Sequence, residues 1–305
     1  MKLQLNIGAD MGNGYTKYEG GRFASKVRVG RLSKAESVST NSEVHEVTFK
    51  GKEYVLGDNS GAPFTGVDRY FTDYYLMALL TAIALSSKEP NSTIQANVVL
   101  GVPVDDYNSM ADEISKHFNS IEIQEITVDG HNYTIELMDV TVFIEGGLPI
   151  ANNDNRHIIT VDVGAGTINT VEWKNQQIIN KFTINDAFYK LHKDIIEHLN
   201  SKHKTKLLLE HAGALIGKTT MQTRNGVVEI PEVAEIVQTH ISKHANTIEM
   251  TFDTDGCDVI QVYGGGSEDT FDYWKNHFPK AEHVKNAQHG NQRVYQAVAN
   301  SMYED

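Results

Sequence analysis

The sequence predicts an α/β protein made of two related lobes, and three observations carry that expectation. Short apolar strands alternate with stretches of helical period along the chain. One turn, Asp-x-Gly-x-Gly, occurs twice about half a chain apart, at Asp10-Met11-Gly12-Asn13-Gly14 and at Asp162-Val163-Gly164-Ala165-Gly166. Each copy follows a buried-type strand and leads into another, the mark of an internal repeat. The 305 residues suit two domains of roughly 150 each. No low-complexity tract separates the halves, so a hinged pair of lobes is expected rather than beads on a string.

Taken in order, a strand over 3–7 alternates apolar and polar residues and runs into the first glycine turn, with a second strand from Tyr15. Residues 22–60 are polar and punctuated, with short strands expected at 46–50 and 53–56. The spacing of Phe71, Tyr75, Leu79 and Ile83 predicts a helix over 68–87. Its aromatics, Tyr70, Phe71, Tyr74 and Tyr75, are read mostly as core. A buried strand over 96–102 ends at Gly101 and Pro103, and Asp105 or Asp106 is expected to cap a helix reaching Phe118. Strands at 121–128 and 133–143 follow, turned by Asp129-Gly130.

After residue 150 the order restarts. A strand at 158–161 enters the second glycine turn, another runs to Trp173, and a turn at Lys174-Asn175 leads to a third at 177–182. Helices are expected over 186–202 and 233–247, then a strand at 259–262 halted by Gly264-Gly265-Gly266, a helical stretch over 269–277 and a final helix over 288–302. His198 and His203, in the first of these helices, read as surface residues.

Forty acidic against 27 basic residues give a net charge of −13, which argues against direct nucleic-acid binding, where lysine and arginine must neutralise phosphates. The single cysteine, Cys257, excludes a disulfide framework or a cysteine zinc site. The 13 histidines form no metal-binding pair of the HExxH kind. The longest apolar run, 76–85, is half the roughly 20 residues a membrane span needs. A cytoplasmic protein with no membrane partner is expected, and the N-terminus has no signal-peptide core.

The glycine turns suit a nucleotide's phosphates and their metal. Glycines let main-chain N–H groups approach phosphate oxygens with no Cβ in the way. A carboxylate tolerates that neighbourhood only if a cation intervenes, and Mg²⁺ usually keeps several of its waters. Two such turns on opposite lobes would grip a polyphosphate from both sides, and Lys17, seven residues after Asp10, can add a point charge. A P-loop is absent, and neither turn has the third glycine or the following helix of the dinucleotide fingerprint. Gly264-Gly265-Gly266-Ser267, after an apolar strand, would let a base or ribose lie against bare backbone.

In this order the motifs resemble the actin/Hsp70/sugar-kinase ATPase superfamily, and within it the bacterial actin-like plasmid-segregation proteins of the ParM/StbA type. The resemblance rests on Asp10 to Lys17, on Val99-Leu100-Gly101-Val102-Pro103, on Phe143-Ile144-Glu145-Gly146-Gly147, on 160–167, on 262–267, and on the closing Asn286-Ala287-Gln288 with Arg293-Val294-Tyr295. It implies a ribonuclease-H-like pair of lobes with a nucleotide cleft between them: lobe I, 1–156 plus 285–305, and lobe II, 157–284, whose capping subdomain, about 206–232, is short.

The resemblance also assigns roles. Asp10 and Asp162 would hold hydrated Mg²⁺ and share the catalytic work with Glu145, which would position the attacking water. Gly12, Asn13, Gly14, Lys17, Gly164, Ala165, Gly166 and Thr167 would bind the phosphates of ATP or ADP. Gly264, Gly265, Gly266 and Ser267 would meet the adenosine, with Asp186 and Lys190 as further candidates for base or ribose. The implied activity is ATP hydrolysis coupled to polymerisation, with copies of the chain itself as partners and a basic DNA-binding adaptor linking the filament to plasmid DNA. A small-molecule phosphotransferase of the same superfamily and a non-hydrolysing nucleotide-dependent scaffold are the alternatives.

Overall fold

The computed structural model describes residues 2–33, 36 and 42–304. Strand β1 (Lys2–Met11) changes character along its length. Its first half alternates in exposure and its last five residues are all buried, as befits a strand with neighbours on both sides and cover on both faces. It is followed by β2 (Tyr15–Tyr18), β3 (Gly21–Ala24), β4 (Lys26–Val29), β5 (His45–Phe49), β6 (Lys52–Leu56) and the two-residue β7 (Ala62–Pro63).

Helix α1 (Asp73–Ser86) begins later than the periodicity implied. Residues 67–71 form a 3-10 turn, and Thr72 then breaks it with extended backbone at φ −97° and ψ 149°. The Thr72 hydroxyl accepts from the Tyr75 N–H at 3.3 Å, so a side-chain cap starts the helix where a continuous 68–87 helix was expected. Residues 75–84 of α1 are buried on every side, with Tyr75, Leu79 and Ile83 at zero exposure. Tyr70 joins this core, whereas Tyr74 is exposed.

β8 (Thr93–Val102), α2 (Tyr107–Asn119), β9 (Gln124–Val128) and β10 (His131–Ile144) complete this half. Asp106 stands at the start of α2 but makes no side-chain cap bond. The β9–β10 hairpin turns at Asp129 (φ 49°) and Gly130 (φ 82°), two left-handed residues as the Asp-Gly pair predicts.

Next come α3 (Leu148–Ala151), β11 (Ile158–Val163), β12 (Ile168–Lys174), β13 (Gln177–Ile184) and α4 (Phe188–His203). The β12–β13 turn uses Asn175 and Gln176, both at positive φ, one residue later than expected. A small hairpin, β14 (Thr220–Thr223) and β15 (Gly226–Glu229), fills the stretch that carried no periodic signal, and Ile216, Met221 and Ile230 around it reach the neighbouring core. Helix α5 (Glu232–Thr251), β16 (Val259–Tyr263), α6 (Phe271–His277), β17 (Ala281–His283) and α7 (Gly290–Tyr303) finish the chain. His203 is not a free surface residue: its ring and the Lys202 ammonium both bind the buried Glu232 carboxylate, at 3.2 Å and 2.9 Å.

The chain divides into two units, Met1–Glu145 with Asn291–Asp305, and Gly146–Gly290, each with its own apolar core. Strand order in the first is β3-β2-β1-β8-β10-β9-β5-β6-β4-β7, and in the second β13-β12-β11-β16-β17. The first five strands of one repeat the other step by step: antiparallel, antiparallel, parallel, parallel. In chain order a helix precedes and another follows the fourth strand in both, α1 and α2 for β8, α5 and α6 for β16. The expected duplication is therefore present in topology and not only in motif.

In the first unit α7 closes onto β1 through absent side chains. A Cβ on Gly8 would fall 2.0 Å from the Gln296 main-chain nitrogen, and one on Gly101 1.9 Å from the Tyr295 hydroxyl. With that approach, the Gln296 amide accepts from the Gly8 N–H at 2.9 Å and donates to the Asn6 carbonyl at 2.7 Å.

Candidate functional site

Each unit carries one Asp-x-Gly-x-Gly turn, and the two are built alike. β1 delivers Asp10 to the turn and β2 takes the chain away antiparallel, which sets Asp10 opposite Lys17. β11 and β12 do the same with Asp162 and Asn169, again seven residues apart. Both aspartates are nearly buried, at 4% and 5% exposure, at the carboxyl ends of strands. That is where open α/β sheets bind their ligands.

In the first turn the Lys17 ammonium donates to the Asp10 carboxylate at 2.7 Å. A Cβ on Gly12 would sit 3.1 Å from the Tyr15 carbonyl, 3.6 Å from Asp10 Oδ1 and 3.9 Å from Lys17 Nζ, so glycine keeps the space over that pair open. The buried Ser25 ties the turn down from β3's end: its hydroxyl donates to the Gly12 carbonyl at 2.6 Å and its N–H to the Gly14 carbonyl at 3.0 Å. Asn13, at the tip, accepts on Oδ1 from the Arg69 guanidinium.

Glu145 follows the last residue of β10, is 9% exposed, and donates its N–H to the Val102 carbonyl at 2.9 Å. It belongs to the same electrostatic neighbourhood as the turn. Burial works against the Arg69 charge, yet Tyr70, Tyr75 and the negative charge of Glu145 hold its pKa above the ordinary arginine value. Burial also pushes the Tyr75 phenol well up, with Tyr70 and the charges of Asp10 and Glu145 adding to it. Asp10 is thus joined to Lys17, and Asn13 to Arg69, whose guanidinium in turn meets Tyr70 beside Tyr75; Glu145 acts on Arg69 and the two tyrosines through its charge.

In the second turn the Gly164 N–H donates to the Thr167 carbonyl at 2.9 Å, and the Tyr189 N–H of α4 donates to the Ala165 carbonyl at 2.8 Å. Asn169 stands where Lys17 stands in the first copy. Its amide donates to the Thr167 hydroxyl at 3.3 Å and accepts from the Thr183 hydroxyl at 2.9 Å. Gly166 lies between these anchored residues, directly before Thr167.

The glycine triplet after β16 packs directly against this turn. Gly264 has φ +89°, and a Cβ there would lie 2.4 Å from Asp162 Oδ1. Gly265 is open, with the Gln288 side chain 3.7 Å away, while Gly266 faces Val163 and the Phe188 ring. The Ser267 hydroxyl is fully buried, donating to the Gly264 carbonyl at 2.8 Å and meeting His283 Nε2 at 3.0 Å, so it braces the turn from inside. Asp186, just before α4, pairs with Lys243 of α5 at 2.8 Å, and Lys190 pairs with Asp194 within α4.

The donor set fits a hydrated cation. Among the described residues no group of three or more His, Cys, Asp or Glu side chains could cage an ion, and Mg²⁺ needs few protein ligands when it keeps its waters. Each unit presents one buried carboxylate of this kind, Asp10 in the first and Asp162 in the second. Among the described residues no helix is long and apolar enough to cross a membrane.

Arg69 is the residue the sequence did not flag. It sits 56 residues from Asn13 in a polar stretch, and nothing local marks it as buried. The only nearby signal is Thr72, whose cap ends the 3-10 turn that carries it.

Residues 8–147 match the family of actin-like proteins, N-terminal domain. No curated protein sequence matches the chain. Among solved structures, the fold superposes on Ta0583, an archaeal actin homologue, with TM-score 0.79 at 16% identity over 97% of this chain and 99% of that one. The complex of Ta0583 with ADP matches with TM-score 0.73 at 15% identity, over 97% and 99% of the two chains. The fold also matches apo psk41 ParM, TM-score 0.70 at 18% identity over 99% and 98% of the two chains. A 15-stranded ParM filament from Clostridium botulinum gives TM-score 0.76 at 16% identity over 98% and 99%. The chain thus has the actin-like two-lobe fold. Within that class it resembles, along its whole length, the ParM-type proteins that its motifs suggested.

Proposed function

We propose that this chain is a Mg²⁺-dependent ATPase that polymerises into actin-like filaments. One observation carries the reading: two Asp-x-Gly-x-Gly turns in the same seven-residue register, at the ends of equivalent strands in two sheets that share the order and direction of five strands. Phosphates would be met by the main-chain N–H groups of 12–14 and 164–167 and by Lys17, and the adenosine by 264–266. Hydrated Mg²⁺ would supply charge neutralisation between the carboxylates and the phosphates. Glu145, buried at the end of β10, would orient water and accept its proton late. The ADP complex of Ta0583 and the ParM filament from Clostridium botulinum support the reading by analogy of fold.

ATP would have to stabilise the polymerising form more than ADP does, since a ligand shifts an equilibrium only by its differential affinity. A cytoplasmic role in moving plasmid DNA follows from the same analogy. The charge of −13 then favours a basic adaptor over direct DNA contact. The test is light scattering and electron microscopy of the purified chain with ATP, ADP or GTP, each with Mg²⁺ or with chelator. Filaments and phosphate release only with ATP or GTP and Mg²⁺ are expected. No rise in scattering at any protein concentration would refute polymerisation.

A further inference from the structure

Arg69 is 6% exposed, and a buried guanidinium is expensive unless its donors are used and its charge is offset. One amino group donates to Asn13 Oδ1 and the other to the Tyr70 hydroxyl at 3.2 Å. The guanidinium carbon lies 4.9 Å from the centre of the Tyr70 ring, while the buried Nε–H has no partner among the described residues. Burial works against the guanidinium charge, while Tyr70, Tyr75 and the negative charge of Glu145 favour it. The link from Arg69 to the glycine turn is the hydrogen bond to the Asn13 amide.

That link fixes a choice an asparagine otherwise leaves open. Its amide has an acceptor end and a donor end, whereas a guanidinium has donors only. The atom facing Arg69 must therefore be the oxygen, and the Nδ2 end of Asn13 is turned the other way. A phosphate accepts hydrogen bonds and repels a bare amide oxygen, so only this sense of the amide suits the turn's proposed ligand.

We propose that Arg69 is a positioning residue for the first glycine turn, holding the Asn13 side chain so that it offers donors to a bound phosphate. The inference rests on the nucleotide reading above and adds to it the residue that sets the turn's polarity. The 3-10 turn of residues 67–71, anchored to α1 by the Thr72 cap, keeps the guanidinium in place.

The test is a double-mutant cycle on the full chain, with Mg²⁺-ATP binding measured by calorimetry and steady-state phosphate release alongside. Arg69→Gln and Asn13→Ala are each expected to weaken Mg²⁺-ATP binding about tenfold, the scale of one lost charge-assisted bond. Because both act through one amide, the double variant should bind no more than about twofold worse than Asn13→Ala alone. The loss should fall on KM, with kcat within about threefold. Additive losses in the double variant, or wild-type affinity in Arg69→Gln, would overturn the proposal. If Arg69→Gln does not fold, Arg69→Lys closes the same cycle: it keeps the charge, loses the planar fork, and must also couple to Asn13. A wild-type chain that binds no Mg²⁺-ATP would overturn the nucleotide reading itself, and this inference with it.

Discussion

Three adjacent glycines, 264, 265 and 266, share one proposed role yet should respond differently to the same added methyl group. Gly264 adopts φ +89° and ψ 163°, a region essentially reserved for glycine, and forcing alanine into it costs about 1–3 kcal/mol. The new Cβ would also lie 2.4 Å from Asp162 Oδ1, 2.6 Å from the Val163 carbonyl oxygen and 2.8 Å from the Val163 nitrogen. Two of those three neighbours are backbone, so relief requires moving β11, and overpacking of this kind adds roughly 1–3 kcal/mol. Gly264→Ala should then lose about 2–6 kcal/mol, a fall in Tm of roughly 5–20 °C for a domain of this size. Gly266→Ala meets the Val163 methyl and the Phe188 ring at 2.7–2.8 Å, side chains that can shift, and should cost about 1–3 kcal/mol. Gly265→Ala meets nothing closer than 3.7 Å and should be neutral within about 1 kcal/mol. Differential scanning calorimetry of the three variants reads the order directly. If Gly265→Ala melts as early as Gly264→Ala, or Gly264→Ala melts with the wild type, the reasoning from close approach is wrong. Mg²⁺-ATP titration of the stable Gly265→Ala then separates ligand contact from folding, with weaker binding expected.

Glu145→Ala should slow phosphate release at least tenfold while assembly persists; unchanged turnover would remove its role. Gly8→Ala would drive a methyl into the α7 backbone 2.0 Å away and should destabilise the first unit by several kcal/mol, about 3 or more, in a chemical melt. A variant as stable as wild type would show that α7 does not need that approach. The buried His240–His244 pair, Nε2 to Nε2 at 3.1 Å, should make stability fall on acidification. Burial, the neighbouring ring of His244 and Lys243 lower the His240 pKa from 6.5 to about 4, against the pull of Asp186 and Asp194. The unfolded chain therefore binds the proton more readily, and stability drops from pH 6.5 down to about 4. Melting curves of His240→Gln across that range should be flatter than wild type.

Much of the fold is legible along the chain because its signals are local. The strand–turn–strand units at Asp10 and Asp162 are spelled by apolar runs and by glycines placed where main chain must stay bare. The Asp129-Gly130 hairpin is legible for the same reason, since its left-handed turn names its own residues. Boundaries decided by a single side-chain bond were missed, as at Thr72, where one hydroxyl ends a periodic pattern that reads as unbroken. The hairpin at 220–229 escaped notice because its strands are four residues each and mostly exposed, too short for any period to show.

The sequence alone determined the duplication, the two carboxylate–glycine turns and the residue types in them, because strand and turn propensities act over a few residues. The tertiary structure decided how those residues meet. Antiparallel register, and not spacing, sets Lys17 across from Asp10 while putting a neutral Asn169 in the matching place. Strand order carries Gly264 against Asp162, and a capped 3-10 turn swings Arg69 onto Asn13 across 56 residues. Contacts of that range have no local signature: they are selected by what can be buried together once the sheets have formed.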